Sequence, residues 1–98
     1  MEALFRCLIS RGLFSNEVAV RGKTAYAEEF SLFAPKEFVD IDEPVPEVGA
    51  VEGWLRVEVL ERKGALMLVR LPSEPFENSQ NVTVRDSEVE IRRRHEAV

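Results

Sequence analysis

GWLRVEVLERKGALMLVRL, residues 53–71, reads as an antiparallel hairpin. Trp54, Arg56, Glu58 and Leu60 alternate with Leu55, Val57 and Val59, the period of two expected of a strand with one dry face. An amphipathic helix over Glu52–Arg62 would need apolar residues three or four apart, and here they fall at every second position. Arg62-Lys63-Gly64 supplies a tight turn whose glycine is free to take a positive φ, and Ala65–Leu71 follows as the partner strand.

The same grammar extends to both sides of this hairpin. Ala3–Ile9 is nearly all apolar and predicts a first strand buried on both faces. After a turn at Arg11-Gly12, Val18 and Val20 alternate with Glu17, Ala19 and Arg21 as a second strand. Gly22-Lys23 predicts another turn, and a third strand lies within Ala25–Phe33, with Phe30 and Leu32 sharing a face. Pro35 cannot donate to a ladder, so it ends that strand and begins a single helical turn that presents Phe38 to the core. On the far side Pro72 stops the hairpin, Ser73–Asn81 forms a loop, Val82 and Val84 open a sixth strand, and Val89 with Ile91 resumes after a turn at Asp86-Ser87.

The two halves echo each other. Each runs from a Leu-anchored strand through a Gly turn to a Val-rich strand, and Phe30-Ser31-Leu32 followed by Glu37-Phe38 matches Val82-Thr83-Val84 followed by Glu88-Val89. A half of under fifty residues is too short to bury a core alone. The expectation is therefore all-β: a small antiparallel barrel or sandwich of six to seven short strands, built from two pseudo-repeated three-stranded meanders. Residues 1–98 form a single domain, with 1–39 the first meander, 40–53 an acidic connection without a core-facing pattern, 54–93 the second meander and 94–98 a tail.

Composition narrows the function classes. The 98 residues are 45% hydrophobic and 32% charged, and 13 are Val, whose stiff branched side chain suits a pleated surface. A net charge of −5 argues against a protein that coats nucleic acid through counterion release. Glu37, Asp40, Asp42, Glu43, Glu47 and Glu52 follow one another with no base after Lys36, whereas Arg92, Arg93 and Arg94 are consecutive, which predicts a solvated acidic loop and a basic terminus. Cys7 has no partner for an internal disulfide, and Arg6 interrupts the first apolar run before it reaches signal-peptide length, so the expected location is cytoplasmic. No apolar stretch reaches the roughly eighteen residues of a membrane span, and without a secretory signal the Asn81-Val82-Thr83 sequon reads as chance.

Candidate chemistry is sparse. His95, the single histidine, lies three residues from the C-terminus, a poor place to hold a catalytic imidazole. Cys7 sits in an apolar strand and reads as a small buried hydrophobe. One Cys and one His cannot make a zinc site, and Asp40, Asp42 and Glu43 lack the Gly and distal Glu of a calcium loop, so neither metal nor cofactor is expected. The expected function is a non-enzymatic module for protein–protein contact that self-associates as a homodimer, because Leu4, Leu8, Phe14, Phe33, Leu66 and Leu68 fall opposite the core and form a surplus of apolar surface. The alternative is a small-barrel nucleic-acid binder that stacks bases on Trp54 beside Arg56, aided by Arg92, Arg93 and Arg94.

Overall fold

The computed structural model describes residues 1–77 and 79–91. Its strands are β1 (Glu2–Arg11), β2 (Glu17–Lys23), β3 (Glu29–Pro35), β4 (Val39–Asp40), β5 (Ala50–Lys63), β6 (Leu66–Arg70), β7 (Asn81–Arg85) and β8 (Val89–Ile91). All pairings are antiparallel. The sheet runs β3-β2-β1-β5-β6-β7 and curls into a half-barrel, with β4 beside β5 and β8 beside β1. The all-β expectation is met with eight strands, because Val39-Asp40 and Val89–Ile91 each return to the central seam after a 3-10 turn, Lys36–Phe38 and Asp86–Glu88.

Strand pairing turns the echo into a local two-fold relation. Val39 lies opposite Leu55, and fifty positions along the chain Val89 lies opposite Phe5. Leu32 and Ala34 of β3 match Val82 and Val84 of β7, and all four are buried. Val20, between Ile9 and Leu32, matches Val69, between Val59 and Val82. This register corrects the alignment read from sequence: Phe30 stands where Gln80 stands, not Val82, and Phe38 where Glu88 stands. Matching by residue type sets like beside like, whereas these two pairs of equivalent sites hold unlike residues.

Hydrogen bonds outside the ladders follow the same relation. Lys36 N–H donates to the Asn16 carbonyl at 3.0 Å, and Asp86 N–H donates to the Ala65 carbonyl at 2.9 Å. The β2–β3 loop reaches β7 through Ala25 N–H to the Thr83 carbonyl, 2.9 Å, and the β6–β7 loop reaches β3 through Phe76 N–H to the Ser31 carbonyl, 2.9 Å. Each half thus covers the outer strand of the other, which blunts edges that would otherwise template further pairing.

One core lies inside the curl. Phe5, Cys7 and Ile9 of β1, Val18 and Val20 of β2, and Phe30, Leu32 and Ala34 of β3 meet Leu55, Val57, Met67, Val69, Val82 and Val84 from the second half. Phe38 packs against this cluster from its 3-10 turn, as Pro35 predicted. Three expectations are corrected. β1 is buried on one face, with Arg6 and Leu8 exposed, and Leu4 is the sole outward residue of that strand to be buried. Gly22 is within β2 and makes no turn; a Cβ there would meet Phe30 Cζ at 2.7 Å, so the position is kept bare for a ring. The acidic connection does face the core, because Ile41, Val45 and Val51 pack against it.

Candidate functional site

The outer face at the local two-fold axis holds the predicted pair Trp54 and Arg56. Leu4 pairs with Arg56 and Arg6 with Trp54, two rows exchanged by the two-fold relation. Arg6 places its guanidinium 5.5 Å from the Trp54 ring centroid, while Arg56 lies 6.0 Å from the Phe38 ring and its Nε is 3.8 Å from a Glu2 carboxylate oxygen. The indole is half-buried, and Arg6 rather than Arg56 is its cationic partner. Beside it a hollow is lined by Asp40, Asp42 and Glu52 with Arg6 as the lone cation. Arg92, Arg93 and Arg94, the rest of the candidate binding surface, lie outside the described residues, as does His95.

Cys7 is buried, and burial together with the nearby Glu88 carboxylate holds its thiol far above the ordinary range. Such a thiol stays protonated and is a poor nucleophile. Among the described residues no three metal-ligating side chains gather, so Asp40, Asp42 and Glu43 do not form a cluster. Among the described residues no helix is long and apolar enough to cross a membrane.

Two clefts that sequence reading missed lie at equivalent places. On the edge of β1 away from β5, β8 pairs as far as Phe5 and β2 takes over at Leu8, which leaves Arg6 and Cys7 at a gap. On β5 the corresponding gap falls at Arg56 and Val57, between β4 and β6. The first gap opens a cleft of about 390 Å³ and the second one of about 430 Å³. Their sizes are similar and their chemistry is not. The first is lined by Arg6, Arg21, Lys23 and Arg85 against Glu29 and Glu88; the second by Arg56 and Arg70 against Glu2 and Glu58, with Phe38 in the place of Glu88. Nothing local in the sequence marks these gaps, because their walls come from elements far apart in the chain, such as Arg21 and Glu88 in the first and Phe38 and Arg70 in the second.

The turns at the sheet ends differ in the same unequal way. Lys63 pairs with Leu66, leaving only Gly64-Ala65 between β5 and β6, whereas five residues, 12–16, link β1 to β2. That larger turn is held by Glu17 N–H donating to the Phe14 carbonyl, 3.2 Å, and Leu13 N–H donating to the Glu17 carboxylate, 3.2 Å. It displays Leu13 and Phe14, 74% and 69% exposed. Next to it is a hollow of about 370 Å³ walled by Arg11, Val18, Lys36, Val45 and Glu47 with the turn itself. Of the other apolar residues assigned to the outer face, Leu4 is buried and Phe33 is half-buried, with the Phe76 ring meeting it edge-on at 5.7 Å.

The fold and its surfaces define a class, a small all-β half-barrel with internal two-fold repetition. No protein-family model, no curated protein and no solved structure matches the chain.

Proposed function

We propose that this protein is a non-enzymatic protein–protein interaction module that pairs with a second copy of itself through the β1–β2 turn. The observation that carries the reading is the Leu13-Phe14 turn, which exposes two large apolar side chains where the equivalent turn is a bare Gly64-Ala65. A projecting pair beside a hollow on the same face is self-complementary: Phe14 of each copy enters the hollow of the other, the arrangement an isologous two-fold dimer requires. Apolar surface of this kind is costly to leave in water and is commonly an interface. A cytoplasmic setting accords with a single buried, unbridged cysteine.

The nucleic-acid alternative has weaker support. Arg6 and Arg56 are already engaged by Trp54, Phe38 and Glu2, and the hollow beside the indole carries three carboxylates that would repel a phosphate backbone.

Sedimentation at about 100 µM, where a dimer of micromolar Kd is well populated, tests the proposal. The expected result is a dimer that L13E/F14E converts to a folded monomer and that L66E, at the opposite turn, leaves intact. A wild-type monomer at that concentration, or a dimer indifferent to L13E/F14E, overturns it.

A further inference from the structure

The geometry points to an anion-binding site in the cleft between β2 and β8, which takes a phosphomonoester carried on a small apolar body. Arg21, Lys23 and Arg85 hold the charged head, and Leu8 and Ala27 contact the body.

Four observations carry it. The cleft gathers four cations against two carboxylates in a chain whose net charge is −5. Among the described residues Arg21, Lys23 and Arg85 make no ion pair or hydrogen bond through their side chains, even though acids outnumber bases. The fold does not require that concentration of charge: in the equivalent cleft Arg56 matches Arg6 and Arg70 matches Arg21, but Glu2 and Glu58 balance them and Glu2 lies 3.8 Å from Arg56. Finally, a cleft of about 390 Å³ is within the range for small ligands, and Phe5, Cys7, Ala25 and Ala27 give it an apolar lining.

The class of anion follows from the donors. Two guanidinium forks and one ammonium offer more N–H groups than a single carboxylate can accept, whereas the three terminal oxygens of a phosphomonoester dianion use them. Gathered cations also prefer the doubly charged head. Glu29 and Glu88 at the margin disfavour a longer polyanion such as a nucleic-acid strand, which would have to pass them.

The test is an amide-resolved NMR titration of the full chain with phenyl phosphate at low salt. The expected result is saturable shifts at Cys7, Gly22, Lys23 and Ala25, with inorganic phosphate and benzoate each binding at the same amides but several-fold more weakly. R21Q/R85Q is expected to weaken phenyl phosphate by at least about tenfold, the loss of charge-assisted contacts to one head group. R70Q/K63Q removes the same charge outside this cleft and is expected to change little. The proposal is overturned by an absence of saturable shifts, by equal weakening in R70Q/K63Q and R21Q/R85Q, or by inorganic phosphate binding as tightly as phenyl phosphate.

Discussion

Phe5 and Leu55 face each other across the β1–β5 seam, and each occupies in its own half the position that the other occupies in the second. The local two-fold axis passes through this pair. Both side chains are fully buried, and the Phe5 ring lies 6.0 Å from that of Phe30. The two halves therefore share their most central contact, and neither has a complete interior without it.

Leu55→Ala is expected to cost about 2–5 kcal/mol and Phe5→Ala about 3–5 kcal/mol, the range for deleting buried side chains that leave a cavity. Because the pair is in contact, the double variant should deviate from additivity. Denaturant unfolding followed separately at reporters in each half should give one transition in every variant. Two separated transitions would show that the halves hold independent cores.

Gly22→Ala should destabilise by about 1–3 kcal/mol, because the added Cβ would lie 2.7 Å from Phe30 Cζ and 3.1 Å from Phe5 Cε2. The equivalent pair in the second half, Leu71 and Gln80, distributes its bulk the other way, with the large apolar residue on the β6 side. Phe30→Leu removes the clashing ring atom, so the double variant G22A/F30L is expected to be more stable than the sum of its parts implies. Strict additivity of the two losses would remove the steric account of Gly22.

These two sites show what the chain discloses about itself. Alternation at Leu55, Val57 and Val59 is a local signal, and it gives the dry face of β5 correctly, although the strand starts at Ala50, inside the stretch read as the acidic connection. Pro35 likewise announces the 3-10 turn that carries Phe38. Gly22 misleads because a glycine kept bare for a neighbouring ring is indistinguishable, in a sequence, from one that bends the backbone. β4 escapes because two residues, Val39-Asp40, are too few to show a period. Ile41 and Val45 escape because an irregular connection packs without any period at all. Trp54 and Arg56 share an outer face as their alternation implies, yet the partner of the indole is Arg6, which only the β1–β5 register supplies. The clefts are hardest to foresee, since each is the space left where two distant strands stop short of one another on a shared edge.

Glu77 should titrate below its ordinary value of 4.5, because its carboxylate accepts hydrogen bonds from Ser31 Oγ–H and Ser31 N–H, each at 2.7 Å. The folded value is depressed relative to the unfolded one, so this link between the β6–β7 loop and β3 stabilises above about pH 4.5. It is lost as the pH falls through the depressed value. The Ser31 amide proton is expected to shift with the same midpoint as the Glu77 carboxyl, and Glu77→Gln should flatten that step. A Ser31 amide whose shift ignores acidification would mean that the loop is held to β3 by its other contacts, the backbone bond from Phe76 and the Ser73 hydroxyl on the Phe33 carbonyl, and not by Glu77.

Trp54 fluorescence offers the sharpest test of what the outer face excludes. Arg6→Ala should cost only about 0.5–1 kcal/mol, the worth of a cation–π contact at an accessible site, and should alter the emission. Titration of the unmodified protein with a short oligothymidylate at low salt is expected to leave the indole signal unchanged, because Asp40, Asp42 and Glu52 surround its hollow. The same physics predicts a gain of function. Asp42→Lys with Glu52→Lys would reverse the sign of the hollow while leaving the half-buried ring in place, so weak, salt-sensitive quenching should emerge. Quenching of the unmodified protein would mean that stacking overcomes the carboxylates, and an unresponsive double-lysine variant would mean that ring access, not charge, keeps bases away.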